Sequence, residues 1–319
     1  MNRFSILLVG AGNLGSRYLQ GLSSISEKLR ITVVDVSQAS LNIAKERWNQ
    51  VSTNRLDDLV FMKTLPNNSQ TFDIVIVAAS SSVRAEIVEQ ISQNHTVKYW
   101  VLEKVLAQSL HDLNRISNTL ENAAGAWVNH SRRMMPWYQN LKPHMTSAKN
   151  FKVEKIGSNW NLACNAMHFI DLVSWWRETT LTELKLVSAD RPWYESKRDG
   201  YFELDGTLKA TYSDGSLLSL TNSHLQVSNT LTIELDNGNS WKIDESEGLA
   251  SSSSDVVLNG TIEFQSQITA KLVMSILETG TCLLPTLNEA IPPHKAYIST
   301  LLNHWNESQN LTYQRVPIT

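Results

Sequence analysis

The chain contains 319 residues, of which 42% are hydrophobic and 18% are charged, and its formal net charge at pH 7 is −3. This length allows two domains of common size and a substantial core. The charge balance and the lack of a basic run exclude nucleic acid and an anionic membrane surface as partners, and no apolar run approaches a membrane span. Cys164 and Cys282 are too few for a disulfide framework. Because the first apolar run predicts a strand and not a secretion signal, we expect a cytoplasmic protein.

The first predicted element is a strand at residues 6–9, which enters a glycine turn and then a segment with helical spacing. Gly10 permits the tight bend, Gly12 lets the backbone approach a pyrophosphate, and Gly15 lets the helix pack closely on the strand. The helix N-terminus offers free N–H groups and a positive dipole end to the phosphates. We therefore predict a dinucleotide site that is held by these residues of the turn: Gly10, Gly12, Asn13 and Leu14.

A second strand, residues 31–34, ends in Asp35, 20 residues after Gly15. An acidic side chain at this spacing accepts hydrogen bonds from both hydroxyls of the adenosine ribose and would repel a 2′-phosphate. NAD is therefore the favoured cofactor. Ser37 can still bind a phosphate, which leaves NADP as the weaker alternative.

The following elements continue the alternation of strands and helices. Residues 73–79 form a nearly continuous apolar run, typical of a strand buried in a parallel sheet. Ala79 and Ser80 stand at its carboxyl end, where open α/β sheets bind ligands, and we assign both to the cofactor site. The other predicted elements are helices at 39–49, 83–93 and 109–122 and strands at 99–102 and 126–128. This order predicts a doubly wound parallel sheet, a Rossmann domain, over residues 1–125.

From residue 126 the pattern changes to short strands separated by turn residues. Asp-Gly and Asn-Gly turns predict two hairpins, which pair 209–212 with 217–221 and 230–235 with 241–243. Helices are predicted at 262–278 and 297–305, with Pro292-Pro293 leaving the course of the last one open. We predict an α+β domain with a largely antiparallel open sheet over residues 126–319, whose C-terminal helix can pack back on the first domain.

The strand at 99–102 is followed by Glu103 and Lys104, at the edge of the sheet where a nicotinamide ring would lie. A lysine there can exchange a proton with a substrate hydroxyl while a hydride moves. We predict Lys104 as the catalytic acid/base and Glu103 as a cofactor contact. The alternative for Lys104 is a solvated surface lysine.

A second cluster lies on a predicted helix, where Cys164, His168 and Asp171 have the spacing of one face. His168 is predicted to act in proton transfer or to hydrogen-bond a substrate oxygen; a structural histidine is the alternative. No second pair of ligands accompanies the cluster, so no metal site is predicted. A nucleophilic Cys164 is disfavoured because groups four residues apart on a helix seldom aim at each other's reactive atoms.

Arg132 and Arg133 follow the strand at 126–128, close behind Asn129. Adjacent arginines bind anionic groups such as a carboxylate or a diphosphate. A pair of structural salt bridges at the domain junction is an equally good interpretation.

In this order the motifs resemble the Gfo/Idh/MocA oxidoreductase family, named for glucose-fructose oxidoreductase and inositol dehydrogenase, over nearly the whole chain. In the first half of the chain, the glycine turn at 10–15 matches the family's nucleotide turn, residues 78–86 match its Thr-Pro-Asn-x-x-His segment, and Glu103-Lys104-Val105 matches its Glu-Lys-Pro motif. Residues 129–136 match a stretch that ends in Arg-Arg-Phe-x-Pro, and residues 164–171 match Asp-x-Gly-x-His-x-x-Asp. Residues 284–290 match a late Pro-Thr-x-x-Glu segment.

The resemblance implies an N-terminal Rossmann domain, a C-terminal domain whose open sheet often serves oligomerisation, and hydride transfer at a carbon of a sugar or cyclitol. By position, Lys104 takes the role of the catalytic lysine and His168 that of the active-site histidine. The resemblance and the residue patterns together give this predicted substrate site: Arg132, Arg133, Cys164, Asn165 and Asp171.

The chain departs from the family pattern at several positions. Cys164 stands where most members carry an aspartate that pairs with the lysine and the histidine, so a carboxylate that would orient Lys104 and tune its pKa is missing. Ala166 replaces a glycine, Val105 a proline and Arg84 a histidine.

We therefore predict an NAD-dependent oxidoreductase that acts on a secondary alcohol or ketone of a sugar. The Asn/Cys-rich segment resembles members of bacterial surface-polysaccharide pathways, which implies a nucleotide-linked sugar, and the C-terminal sheet implies a homodimer or homotetramer. The alternative from another class is a non-catalytic protein that senses NAD or a sugar ligand. A third hypothesis is a reductase of an imine or a ring double bond.

Overall fold

The computed structural model describes residues 4–51, 58–190 and 192–319. Its contacts divide the chain into two units: residues 1–107, 111–131 and 263–288 form the first, and residues 108–110, 132–262 and 289–319 form the second. This division differs from a single boundary after residue 125, because the helix at Gln265–Thr279 packs on the helix at Asn13–Leu22. The close approach is possible at Gly21, where an added Cβ would lie 2.5 Å from Thr269 Cβ.

The first unit is built on a six-stranded sheet of order β3-β2-β1-β4-β5-β6, in which every neighbouring pair is parallel. This confirms the predicted Rossmann fold. Its elements are β1 (Phe4–Val9), α1 (Asn13–Leu22), β2 (Leu29–Val34), α2 (Gln38–Val51), β3 (Asp58–Met62), β4 (Thr71–Val77), α3 (Arg84–Asn94), β5 (Thr96–Leu102), α4 (Leu110–Thr119) and β6 (Gly125–Val128).

Strands β1 and β4 lie side by side in the middle of this sheet and form its core, with Ile6, Leu7 and Ile74 to Val77 fully buried. The order of the strands reverses between them, so β1 and β4 leave a crevice at their carboxyl ends, which is where doubly wound sheets bind ligands. The glycine turn follows β1 and Ala79 follows β4. The fold therefore brings these two predicted cofactor segments to one edge.

The second unit contains an eight-stranded mixed sheet of order β16-β15-β14-β13-β7-β12-β11-β8. Both predicted hairpins are confirmed as β11–β12 and β13–β14, while β7 pairs in parallel with β12. The elements after β6 are α5 (Pro136–Met145), β7 (Phe151–Ser158), α6 (Leu162–Arg177), β8 (Leu181–Ala189), β9 (Tyr194–Glu195), β10 (Phe202–Glu203), β11 (Gly206–Tyr212), β12 (Leu217–Ser223), β13 (Thr230–Leu235), β14 (Ser240–Asp244), β15 (Leu249–Ser252), β16 (Val257–Asn259), α7 (Gln265–Thr279) and α8 (Leu287–Gln309).

Helix α6 covers one face of the second sheet through contacts with β11 and β12. Strand β7 alternates between buried and more exposed residues, which is the period of a strand with one covered face. On the opposite face, charged side chains such as Lys152, Glu154 and Lys209 line a shallow groove of about 450 Å³.

The sequence analysis did not assign these elements individually: β3, α5, β7, β8, β9, β10, β15 and β16. Strand β3 is a short edge strand of the first sheet, and its apolar run, Leu59 to Met62, is only four residues long. Helix α8 runs without interruption through Pro292 and Pro293, so it begins well before the predicted residue 297. Among the described residues, no helix is both long and apolar enough to cross a membrane.

Candidate active site

The glycine turn of the first unit has the geometry that the sequence predicts. Gly10 adopts a φ of +94°, which disfavours any residue with a Cβ, and an added Cβ would lie 2.6 Å from Ala79 N. A Cβ on Gly15 would lie 1.7 Å from Gly10 O. Both glycines therefore serve close packing between the turn, α1 and the loop after β4.

Gly12 is different because an added Cβ there would meet no atom within 4 Å. It is the N-cap residue of α1, whose cap lacks a side-chain hydrogen bond. The backbone of the turn is thus open beside Gly12. The N–H groups of Asn13 and Leu14, in the first turn of the helix, lie on this side and have no partner within the helix. This cradle fits the pyrophosphate of a dinucleotide.

Asp35 lies directly after β2 and is partly buried. Its carboxylate accepts hydrogen bonds from Ala11 N at 2.7 Å and from Ser37 N at 2.8 Å. These bonds hold the side chain over the glycine turn, and a carboxylate has further lone pairs that can accept ribose hydroxyls. The acidic residue and the glycine turn therefore lie together, and their joint role in binding a cofactor stays a prediction.

Glu103 is buried, with 4% of the residue exposed, and its Oε1 accepts hydrogen bonds from Tyr18 Oη at 2.5 Å and Asn129 Nδ2 at 2.6 Å. Burial and the Glu103 carboxylate raise the pKa of Tyr18 well above its usual range, so the hydroxyl keeps its proton and donates. Asn129 also donates to Gln265 Oε1 at 2.8 Å. The structure thus places Glu103 inside a polar network of the first unit.

Lys104 is partly exposed and follows Glu103 in the loop after β5. Strands β4 and β5 are parallel neighbours, so this loop leaves the sheet at the same edge as Ala79 and Ser80. The first unit therefore brings the predicted catalytic lysine to the ligand edge of its sheet.

In the second unit, α6 begins after Asn161, which adopts a left-handed conformation that asparagine tolerates. Its first N–H groups are bonded by the buried carboxylate of Glu203: Oε2 accepts from Ala163 N at 2.9 Å and Oε1 from Cys164 N at 3.2 Å. A carboxylate also stabilises the positive end of a helix. Glu203 therefore fixes the start of the helix that carries His168.

Asn165 and His168 line a cleft of about 660 Å³ in the second unit. Asn165 Nδ2 donates to Trp160 O at 2.7 Å, which fixes the amide at the cleft wall. The remaining lining residues are Arg132, Lys155, Trp160, Phe169, Ser228, Asn229, Asp244, Glu245 and Ser246. The cleft combines aromatic rings with several donors and acceptors, as ligand sites do.

Arg132 pairs with Glu245 at the cleft, at 2.8 Å from Nη2 to Oε1, and Tyr138 donates to the same oxygen. Burial alone would lower the pKa of Arg132, but Glu245 more than compensates and holds it above the ordinary value. Burial opposes the charge of Glu245 too, yet Arg132 and Tyr138 keep its pKa below normal. The guanidinium also lies 4.4 Å from the centre of the Phe169 ring. Arg132 and Glu245 are therefore both charged at neutral pH.

Arg133 and Asp171 form a second, separate pair. Arg133 Nη2 and Nε lie 2.6 Å and 2.8 Å from the two carboxylate oxygens, and both side chains are 9% exposed. Such a bidentate pair is geometrically specific. It matches the salt-bridge alternative for Arg133, and neither residue lines the cleft that holds His168. Cys164 is likewise outside that lining, although its predicted role in substrate binding stays a prediction.

Sequence reasoning did not identify Lys155, Trp160, Asn229 and Glu245 as candidate site residues. Lys155 lies on β7, Asn229 on the loop before β13, and Glu245 after β14, so the sheet pairing brings them together. Lys155 is 4% exposed and its Nζ lies 3.5 Å from Asn229 Oδ1. The one sequence signal for this site was Lys155 itself, a lysine at a position where the alternation of residues 151–158 places a buried side chain.

Within the described parts of the chain, no group of three or more histidine, cysteine, aspartate or glutamate side chains is arranged to hold a metal ion.

The comparison with protein families decides what the first unit is. Residues 4–130 match the Gfo/Idh/MocA model, which describes an oxidoreductase family with an NAD-binding Rossmann fold. Over these residues the chain is similar to the Gfo/Idh/MocA oxidoreductases. The match confirms the resemblance and the NAD cofactor, and the open cradle at Gly12 fits that cofactor. No curated protein matches the chain in sequence.

Solved structures of the same fold cover nearly the whole chain at low sequence identity. The super-repressor mutant of Gal80p from Saccharomyces cerevisiae has a TM-score of 0.72 at 14% identity and covers 98% of both chains. UDP-N-acetylglucosamine 3-dehydrogenase from Acidithiobacillus ferrooxidans has a TM-score of 0.67 at 12% identity, covering 94% of this chain and 97% of its own. An oxidoreductase from Agrobacterium radiobacter, in complex with NAD+, L-tartaric acid and magnesium, has a TM-score of 0.67 at 12% identity and covers 93% and 94%. At these identities the likeness shows the fold alone, over nearly the whole chain.

Proposed function

We propose that the protein is an NAD-dependent dehydrogenase that moves a hydride between C4 of the nicotinamide and a secondary alcohol or ketone of a sugar or sugar derivative. The observation that carries this proposal is Lys104 at the ligand edge of an NAD-binding sheet. Bound NAD supplies the hydride acceptor. The residues proposed to hold it are Gly10, Gly12, Asn13, Leu14, Asp35, Ala79, Ser80 and, through its network, Glu103.

Bound NAD would take up the hydride of the alcohol carbon in the oxidation and would supply it in the reduction. The hydroxyl proton passes to the neutral amine of Lys104, which becomes an ammonium. In the reduction, the ammonium returns this proton to the new alkoxide. His168 hydrogen-bonds the substrate oxygen and shares the proton.

The cleft around His168 supports a polyhydroxylated substrate. Lys155 offers ammonium donors, and Glu245 offers Oε2, which accepts no hydrogen bond from the described residues. Trp160 and Phe169 supply apolar ring surface beside these polar groups. Donors, acceptors and rings on one wall suit the hydroxyls and C–H faces of a sugar ring.

A nucleotide-linked sugar in surface-polysaccharide synthesis is the narrower form of this proposal. The name of the Acidithiobacillus relative, a UDP-sugar dehydrogenase, supports it. Arg132 and Arg133 are each paired with a carboxylate, so they give a diphosphate less support than unpaired arginines would. The nucleotide part therefore has to be tested against the free sugar.

The test is a titration of the purified protein with NADH and NADPH, followed by free sugars, inositols and UDP-sugars with each cofactor, monitored at the nicotinamide absorbance band. We expect tighter binding of NADH than of NADPH and a change in absorbance with at least one sugar. Failure of every sugar and inositol to change the absorbance would contradict the proposed reaction.

A second candidate function is a sensor that binds NAD or a sugar without turnover. Two observations favour it: Cys164 replaces the family's aspartate, and the repressor Gal80p shares the fold over 98% of this chain. The sensor predicts ligand binding with no change in the nicotinamide absorbance for any sugar that binds.

We also propose a cytoplasmic homodimer or homotetramer that forms through the second sheet. The groove on its face away from α6 carries both signs of charge, with Glu154 and Glu183 near Lys185 and Lys209. A surface with both signs can pair with a copy of itself about a two-fold axis. Light scattering after gel filtration measures the mass, and a monomer at micromolar concentration would contradict this assembly.

A further inference from the structure

Arg84 is the first residue of α3, and only 2% of it is exposed. This is an unfavourable place for a cation for two reasons. Burial removes the guanidinium from water, and the N-terminus of a helix is already the positive end of its dipole. A buried charge in such a position requires several well-placed hydrogen bonds.

Main-chain carbonyl oxygens from two loops provide these bonds. Arg84 Nη2 donates to Ala79 O at 2.6 Å. Nη1 donates to Leu106 O at 2.9 Å and also to Val105 O. The guanidinium therefore joins the loop after β4 to the loop after β5.

These two loops carry the cofactor and catalytic candidates of the first unit. Ala79 precedes Ser80, and Val105 directly follows Lys104. Ala79 also packs against Gly10, since a Cβ on that glycine would lie 2.6 Å from Ala79 N. Arg84 thus links the two loops within a chain of contacts that runs from the glycine turn to the loop of Lys104.

A planar guanidinium fork is specific for this arrangement. It presents five N–H donors in fixed directions, whereas an ammonium is a compact point charge and an imidazole has at most two N–H groups. The family pattern has a histidine at this position, so the chain carries a residue that is able to hold more carbonyls than the usual one.

We propose that Arg84 is a positioning residue that fixes the loop of Lys104 against the loop of Ala79 and Ser80, and thereby sets where the Lys104 amine stands relative to the bound nicotinamide. The buried guanidinium acts through the main chain and has no contact with substrate. The proposal rests on the proposed function in one respect, the role of Lys104.

The first test compares Arg84→Lys and Arg84→His with the wild type, with Arg115→Ala as the matched control. Arg115 lies on α4 of the same unit; its side chain is 29% exposed and bonds to Glu89 and Asp112, not to the carbonyls of either loop. We expect kcat per folded enzyme to fall about 100-fold in the Arg84 variants, as for a displaced catalytic group. The KM for the sugar changes little, and Arg115→Ala keeps the wild-type kcat. Wild-type kcat in Arg84→Lys and Arg84→His would overturn the proposal.

A double-mutant cycle separates this proposal from the role of Lys104 itself. If Arg84 acts through Lys104, Arg84→Lys causes no further loss in a Lys104→Ala background, so the two effects are not additive. Additive losses would overturn the proposal. Full turnover by Lys104→Ala alone would instead show that Lys104 is not the acid/base of the proposed function. Hydrogen exchange would then test whether Arg84 holds the two loops together.

Hydrogen exchange of the backbone amides needs neither substrate nor turnover. In the wild type, the amides of residues 104–107 should exchange far more slowly than the exposed turn at Asp236-Asn237. In Arg84→Lys we expect exchange at residues 79–82 and 104–107 to rise at least about 10-fold, while β4 and β5 keep their rates. Fast exchange of these loops in the wild type, or a uniform rise throughout the first unit, would overturn the proposal.

Discussion

The cofactor edge of the first unit and the cleft of the second unit are constructed in different ways. At the cofactor edge, glycines shape the main chain and its N–H groups form the cradle, so each residue acts close to its own place in the sequence. In the cleft, side chains from β7, α6 and the region after β14 meet through sheet pairing and an ion pair. The cofactor edge can be predicted from a short sequence motif, whereas the cleft depends on contacts between segments more than 100 residues apart.

The largest expected effect comes from the one residue that we assign to proton transfer. Lys104→Ala should reduce kcat by about 10²–10⁴-fold, the range for loss of a general acid/base. NADH affinity should change little because the cradle is intact. Lys98→Ala, an exposed lysine on the adjoining strand β5, is the control. Steady-state kinetics with the identified sugar decide the point, and a Lys104→Ala protein with full turnover would disprove the assignment.

The glycine turn offers a matched pair that separates cofactor binding from packing. Gly12→Ala should fold with nearly wild-type stability, because its Cβ meets nothing within 4 Å, yet it should weaken NADH binding by about 100-fold by filling the cradle. Gly15→Ala should lower the free energy of unfolding by about 1–3 kcal/mol, since its Cβ collides with Gly10 O. Thermal unfolding and NADH fluorescence distinguish them. Tight NADH binding by Gly12→Ala would contradict the proposed position of the pyrophosphate.

Asp35→Asn tests the preference for NAD. Removing the charge weakens the bonds to the ribose hydroxyls and removes the repulsion of a 2′-phosphate. We expect the affinity for NADH to fall on the order of 10-fold and the ratio of NADH to NADPH affinities to fall further. Glu46→Gln on α2, an exposed acid in the same unit, should leave both affinities unchanged. If the ratio of NADH to NADPH affinities is unchanged in Asp35→Asn, another residue discriminates between the two cofactors.

Lys155→Met tests the cleft and has the smallest expected effect on catalysis. Burial lowers the pKa of Lys155, so at neutral pH the folded protein carries the cost of a desolvated charge. Methionine removes this cost, and we expect a gain of about 1 kcal/mol in stability, or roughly 2 °C in Tm. We also expect a roughly 10-fold higher KM for the sugar from the lost hydrogen bonds.

The pH dependence of this variant has a definite sign. Because the pKa of Lys155 is lower in the folded state, the unfolded wild-type chain binds more protons than the folded one between that value and about 10.5. The stability of the wild type therefore rises with pH through this interval. The advantage of Lys155→Met should therefore be largest near neutral pH and shrink as the pH approaches the upper limit. Lys152→Met, on the exposed face of the same strand, is the matched control.

The two units also differ in how far the sequence could predict them. The parallel strands of the first unit are continuous apolar runs, and their spacing with helices fixes the sheet type, so all but β3 were identified. In the second unit the Asp-Gly and Asn-Gly turns revealed the hairpins. Strand β7 was missed because Lys155 interrupts the alternation of apolar and charged residues in Phe151 to Ser158. Its parallel pairing with β12 is a long-range contact that no local motif encodes.

By itself the sequence determined the NAD-binding domain, because a glycine turn, a helix N-terminus and an acid act through the main chain within about one βαβ unit. Only the tertiary structure decided how charged side chains are paired. It joined Arg132 to Glu245 and Arg133 to Asp171, placed Lys155 in a cleft, and buried Arg84 between two loops. The physical reason is that a charge is stabilised by whichever partner the fold brings within hydrogen-bond distance, and sequence separation does not limit that choice.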